Sequence, residues 1–481
     1  MKLYHYHNIE TSLKELKGTF HLSSPNELND PLESFVTVYW EGDKAAWEGL
    51  FRNYICSLSK SIEIYLLQGD MEEISTDSLM VDIHAFDSVP MGNLLKELSD
   101  TFLNDEYIVK LAELLGSINY RLYRNDVKAI LQLVHQKAFY YCLTLFRDNK
   151  FIPSEEADPQ IKLLSKFKEM KLPDIPDDKP VRESLIYAML SVIKTTIHDA
   201  IELQYIKIGL DDEAFLYGKP EKSDEKSDTV RSETMDKKVG HKKISGSRQH
   251  RNWLNATWNF PENYVRQLLD MMYPPTYITC FSASNTDSSM WGTYADSHKG
   301  ICFEYSTNEK DTIDLIGSPI LPLKPVQYDD GKFECNFFTT FGRLTFQQIR
   351  TWLTGKDGIS ECYKEFSDVE KWRDHYWKIC ELKTYHKMPE WAHEQEYRIA
   401  YTDMLMEYKK GDKRLIKYNP KALTGIIFGI RTSEYDKMQI MKAVEENGPY
   451  ENLKFYQAEY NDEKRKIEVR LKEWKRNNET H

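Results

Sequence analysis

Residues 218–252 contain no Leu, Phe, Tyr or Trp and are dense in Lys, Asp, Glu and Ser. Such a stretch buries too little apolar surface to offset the entropy of ordering it, so it reads as a flexible charged linker through which no single core can run. The chain on either side has two characters. Between residues 44 and 217 apolar side chains recur at three- and four-residue steps. Val127, Ile130, Leu131, Val134, Ala138, Tyr141 and Leu145 form one series; Ile186, Leu190, Ile193, Ile197 and Ile201 form another. Each series lays an apolar stripe along a helix. Elsewhere the signals are those of short strands rich in β-branched and aromatic residues: 3–7 and 20–23 near the start, with a small helix at 10–16 between them. Strands at 277–282, 301–305, 397–401, 425–428 and 453–458 follow the linker.

The two ends of the chain therefore look alike and the helical middle looks inserted. The expected fold class is α+β, a discontinuous domain made of residues 1–43 and 253–481, interrupted by a helical insertion at 44–217 and the linker at 218–252. A length of 481 residues suits two or three structural units.

The formal net charge of −12 argues against broad, sequence-independent binding to a nucleic-acid backbone, although a local basic groove is compatible with it. Seven cysteines at irregular spacing form no CxxC pair, so neither a zinc ribbon nor a redox motif is signalled. No apolar run approaches the roughly 18 residues of a membrane span, and the opening MKLYHYHNIE lacks a signal-peptide stretch. The expectation is a cytoplasmic protein with free thiols.

Three segments hold the residues suited to chemistry. From 280 to 306 a strand leads through a Ser/Asn/Asp turn into a short helical stretch carrying Trp291, Tyr294, His298 and Lys299. Residues three and four apart share a helix face, so Trp291, Tyr294 and His298 suit a clamp for a planar, anionic ligand such as a nucleotide; an aromatic core plug followed by a Lys-Gly turn accounts for them equally. In the second segment, if 394–401 is extended, Glu394, Glu396 and Arg398 share one face. Two carboxylates beside an arginine are costly to bury without a task, and such pairs divide roles by environment. An edge-strand salt-bridge row in solvent is the plain alternative. In the third, at the N-terminus, Tyr4 and Tyr6 point to one face of a strand and His5 and His7 to the other. His-x-His is half of a metal site, but no partner motif accompanies it, so no metal is expected.

These segments together resemble a bacterial domain-of-unknown-function family numbered 2971. The resemblance rests on Tyr4-His5-Tyr6, Ser24-Pro25, Asn29-Asp30-Pro31, Cys280-Phe281-Ser282, Met290-Trp291, Tyr294 and His298-Lys299-Gly300. It continues through Val326, Tyr328, Trp391, Glu394, Glu396, Arg398 and the run from Ile427 to Arg431. It covers roughly residues 1–40 and 276–460, which leaves the helical middle and the linker outside it. The order of an aromatic/His strand, a Tyr-containing segment and a Glu strand is similar, more distantly, to the ADP-ribosyltransferase superfamily. That likeness implies two small sheets flanking a cleft that binds NAD as a substrate. It implies that His5, or alternatively His7, contacts the adenosine-side ribose, that Tyr294 stacks on nicotinamide, that Glu396 is the catalytic carboxylate and that Glu394 orients the acceptor. Tyr6, Trp291, His298, Lys299 and Arg398 complete the expected cofactor-binding set. A Ser-Thr-Ser run on the central strand, found in part of that superfamily, is lacking.

The expected activity is thus NAD-dependent ADP-ribosyl transfer or NAD glycohydrolysis, with a protein or nucleic-acid acceptor, in the manner of a bacterial toxin or antiviral defence effector. Two alternatives belong to other classes. One is a non-catalytic sensor of nucleotides or nucleic-acid ends, and the other a metal-dependent nuclease using Glu394, Glu396 and Asp30.

Overall fold

Tyr4 to His7 alternate between tyrosines and histidines, and this alternation marks the faces of the strand Lys2–His7 on which the site is organised. In the computed structural model, residues 1–30, 36–68, 90–118, 120–211, 259–317, 321–329, 333–404, 408, 414–448, 450 and 453–472 are described. The expected linker at 218–252 lies outside the described residues. The chain divides into two compact units. One comprises Met1–Thr37, Pro274–Phe333 and Arg373–His481, the other Val38–Tyr273 and Glu334–Trp372.

The first unit contains strands β1 (Lys2–His7), β2 (Thr19–His21), β3 (Thr276–Ser282), β4 (Ile301–Ser306), β5 (Leu323–Pro325), β6 (Glu396–Thr402), β7 (Leu415–Tyr418), β8 (Leu423–Phe428), β9 (Lys454–Asn461) and β10 (Lys466–Lys472). Helices α1 (Ile9–Glu15), α2 (Ser288–Thr293) and α3 (Glu434–Asn447) accompany them. An eight-stranded sheet runs in the order β10-β9-β8-β4-β1-β3-β6-β5, and a three-stranded sheet includes β2 and β7. The class is α+β. Where two small sheets were expected, β1 joins both groups of strands into one sheet, because it is hydrogen-bonded on both sides. The two sides are unequal. β1 pairs with β4 along its whole length from Lys2↔Ser306 to His7↔Ile301, but registers with β3 through Tyr4↔Ser282 alone. The sheet is therefore weakly seamed between β1 and β3.

Strand alternation sorts the two faces. Leu3, Phe281, Phe303, Tyr305, Ile399, Ile426 and Phe428 pack into one core, with Leu16 just past the end of α1 and Ile440 of α3. Tyr4, Tyr6, Cys302 and Ile427 face the other way and pack with Met290, Trp291 and Ala295. The Asp296-Ser297-His298 turn after α2 is left-handed, with φ of 45°, 56° and 69°. Its backbone holds Gly429 and Arg431, whose amides donate to the Gly300 and His298 carbonyls. A Cβ on Gly300 would lie 2.0 Å from the His7 carbonyl oxygen, so this glycine is required by the close approach of the turn to β1.

The second unit is largely helical, as expected. Val127, Ile130, Leu131, Val134 and Ala138 are buried along the helix Arg124–Asp148, but near its end Cys142, Leu143 and Phe146 take the buried face in place of Tyr141 and Leu145. Ile186, Leu190 and Ile193 are buried on the helix Lys179–Asp211. The unit's extent differs from the expected insertion. It includes the helix Phe260–Met272 and the separate stretch Glu334–Trp372, both assigned by sequence to the α+β domain. Phe337 and Phe338 from that stretch are buried against Trp40 and Trp47, and Phe341 and Trp352 pack on Phe337, long-range packing that local periodicity does not encode. Among the described residues no helix is long and apolar enough to cross a membrane.

Candidate active site

A cavity of about 550 Å³ is lined by residues of both strands at the weak seam, β1 and β3, and by residues of α1, Asn29, Tyr294, Lys387, Glu394 and Glu396. Two clusters of buried charged groups stand at it.

The first is built around the turn that enters β6. Residues Pro389–Glu394 form a 3-10 turn that ends at Gln395 in the left-handed conformation, φ 46° and ψ 52°. The expected extended run from 394 therefore begins only at Glu396. The turn is fixed to β3: Ser282 Oγ donates to the Glu394 carbonyl at 2.7 Å, and the Ala283 amide donates to the Gln395 carbonyl at 2.9 Å. The two carboxylates converge despite the broken alternation, because Lys387 Nζ lies 2.6 Å from Glu394 and 3.5 Å from Glu396. Arg398, fully buried, grips Glu396 with Nε and Nη2 at 2.7 and 2.9 Å and donates from Nη1 to the Thr384 carbonyl at 2.7 Å. Such a fork of charge-assisted bonds is geometrically specific as well as strong. Tyr294 Oη donates to Glu394 at 2.6 Å and accepts from Asn29 Nδ2 at 2.7 Å.

Burial pushes the Glu396 carboxyl up to about 7, against the opposing pull of Lys387. Burial works against the charge on Lys387, yet Glu396 and Glu394 hold its ammonium above the usual lysine range. Burial lowers the Arg398 guanidinium to about 9, with the buried Asp30 carboxylate opposing. With all groups ionised, Asp30, Glu394 and Glu396 exceed Lys387 and Arg398 by one negative charge.

The second cluster lies on the other face of β1. His5 Nδ1 is 3.0 Å from Glu15 Oε1, and His7 Nε2 is 2.8 Å from Glu15 Oε2. Asn8 caps α1 by accepting from the Thr11 amide, and the helix carries Ser12 and Glu15 on its buried side. Tyr305 Oη donates to Glu15 at 2.7 Å. Burial alone would raise the Glu15 carboxyl, but the two imidazoles outweigh it and hold the group well below the usual carboxylate range. Burial draws the His5 imidazole below its ordinary value.

The structure brings His5, Tyr6, Tyr294, Glu394 and Glu396 to this one cavity. Four other expected binding residues lie elsewhere. Trp291 is fully buried, edge-on to Tyr6, with Nε1 donating to the Asn285 carbonyl, so its face is taken up by packing. His298 ends the left-handed turn and Lys299 follows it, and neither lines the cavity, because α2 ends before them. The expected Trp291/Tyr294/His298 clamp is thus not assembled. Arg398 is spent on Glu396 and Thr384. A metal held by Glu394, Glu396 and Asp30 would compete with Lys387, whose ammonium already sits between the two glutamates. Pro31 lies outside the described residues.

Glu15 and Lys387 were missed from sequence, and Asn29 was noted only within the Asn29-Asp30-Pro31 motif, with no role at the site. Glu15 left a signal, a carboxylate beside Leu16 on the stripe that a short amphipathic helix buries. Lys387 meets the glutamates through the fold of its own strand pair with Gln327–Tyr328, which no local pattern announces.

Residues 290–399 match a family model described as Protein of unknown function (DUF2971). The chain is similar to that family over this stretch. It contains Tyr294, Lys387, Glu394, Glu396 and Arg398, so the carboxylate cluster lies almost wholly within the match. His5, His7 and Glu15 lie outside it, as do the N-terminal segment and the run from Ile427 to Arg431 on which the wider resemblance drew. No curated protein and no solved structure gives a match.

Proposed function

We propose that the cavity binds NAD and cleaves the bond between nicotinamide and its ribose, passing the ADP-ribosyl group to water or to a protein or nucleic-acid acceptor. The observation that carries this reading is the pair Glu394 and Glu396, lining the cavity within a buried cluster whose acids outnumber its bases by one when all are ionised. When the C1′–N bond breaks, its electron pair leaves with nicotinamide, which becomes neutral, and the ribose passes through an oxocarbenium-like state. A preorganised negative charge in a dry site stabilises that developing cation far more than it would in water.

In this scheme Glu396 faces the reacting ribose, with its orientation set by the Arg398 fork. Glu394 orients the acceptor, whose oxygen or nitrogen lone pair attacks C1′ as its proton passes to a carboxylate. Tyr294, its hydroxyl tied to Glu394 and Asn29, offers its ring to nicotinamide. His5, from the opposite wall, meets the adenosine-side ribose. An activity of this kind suits a toxin or an antiviral defence effector.

The test is release of nicotinamide from NAD by the purified protein, alone and with cell lysate. Release that falls about 100-fold or more in Glu396→Gln, with an unchanged circular dichroism spectrum, supports the assignment. No release by folded wild-type protein in either condition sinks it. One observation favours a second reading: both oxygens of Glu396 are already engaged by Arg398, which suits a nucleotide-binding module as well as a catalyst. Stoichiometric NAD binding without turnover identifies that case.

A further inference from the structure

We infer that His5, His7 and Glu15 form a binding site for a divalent first-row transition-metal ion of the zinc or ferrous class. The inference does not require the NAD reading, although His5 serves in both, and it concerns the opposite wall of the cavity. Strand alternation puts both imidazoles on one face of β1, and α1 returns over that face to deliver Glu15. One ligand atom from each residue, an imidazole nitrogen or a carboxylate oxygen, lies within 4.8 Å of the other two. A tetrahedral ion bonded at about 2.0–2.2 Å spreads its ligands about 3.4 Å apart. His5 Nδ1 stands 3.0 Å from Glu15 Oε1 and His7 Nε2 stands 2.8 Å from Oε2, so an entering ion replaces these two hydrogen bonds and takes a carboxylate oxygen between the imidazoles.

The donor set selects the ion. Two imidazoles and one carboxylate suit borderline divalent ions, whereas calcium and magnesium prefer all-oxygen sites. Three protein ligands leave positions open, and His5, His7 and Glu15 all line the cavity, so those positions face a bound ligand. An oxygen donor, such as a phosphate oxygen, completes the sphere. The supporting shell is also present. The buried Tyr305 hydroxyl holds Glu15 Oε1 at 2.7 Å, as outer partners of metal-bound carboxylates do. The ring of Phe281, 4.9 Å from that of His5, walls the site with apolar surface.

The experiment uses tag-free, full-length protein stripped with chelator and titrated with Zn²⁺ and Co²⁺ by calorimetry. We expect one equivalent to bind, with affinity about 100-fold or more weaker in Glu15→Gln and in His7→Gln, and about 10-fold weaker in Tyr305→Phe. Absence of a saturable equivalent overturns the inference, as does an affinity unchanged in both ligand variants. Should those variants fail to fold, the visible spectrum of the wild-type cobalt complex decides. Nitrogen and oxygen ligation supports the site, whereas a thiolate charge-transfer band or the spectrum of the free aquo ion overturns it. The readout does not involve NAD, so its failure is separate from failure of the proposed activity.

Discussion

The two walls of the cavity balance buried charge in opposite ways. On the β6 wall, Glu394 and Glu396 are matched by two cations, Lys387 from the strand paired with Gln327–Tyr328 and Arg398 from β6 itself. On the β1 wall, Glu15 is matched only by His5 and His7, whose charge is conditional on a proton. The first arrangement fixes geometry and leaves no position for an ion between the glutamates. The second leaves nitrogen lone pairs at the disposal of a metal or a ligand. A carboxylate bonded to a guanidinium fork and one bonded to two imidazoles are thus different chemical instruments at similar burial.

The largest expected effect breaks the first wall. Arg398→Met leaves Glu396 buried without its fork, and removal of one partner of such a pair costs about 3–5 kcal/mol. Chemical denaturation followed by tryptophan fluorescence measures it, and a loss below about 1 kcal/mol would mean that Lys387 alone satisfies Glu396. A smaller effect tunes the same wall. If turnover requires ionised Glu396, nicotinamide release rises with pH through a midpoint at about 7, because the ionised fraction grows as pH passes the raised value. Lys387 favours the ionised form, so Lys387→Met moves this limb to higher pH, by roughly one unit. A limb that stays in place assigns it to another group. The smallest effect separates positioning from chemistry. Tyr294→Phe removes the 2.6 Å bond to Glu394 and keeps the ring, so it should cost about 1 kcal/mol of stability, with KM for NAD changed less than kcat. A rise in KM alone would make Tyr294 a binding residue only.

Much of this was legible before any coordinates. The strand at the N-terminus, with tyrosines on one side and histidines on the other, follows from a period of two residues. The strands at 277–282, 301–305 and 397–401 lie within one residue of their observed bounds at each end. The convergence of Glu394 with Glu396 was anticipated, but for a reason that does not hold. Alternation along a strand was to align them, whereas the left-handed Gln395 and the Lys387 ammonium do so instead. The motif containing His298, Lys299 and Gly300 looked like part of a ligand clamp, yet its glycine and backbone serve to dock the turn on β1 and on the Gly429–Arg431 run.

The sequence by itself determined which residues alternate and which segments are helical, because both depend on contacts within a few residues of chain. It also put forward Glu394, Glu396 and one of His5 and His7 as candidates for chemistry, beside plain structural alternatives. Only the tertiary structure decided that these residues share one cavity, that Trp291 and Arg398 are consumed by packing and ion pairing, and that Glu15 completes the two histidines. Those outcomes depend on which distant segments become neighbours. Burial then sets the charge of each group through partners that lie far away in the chain.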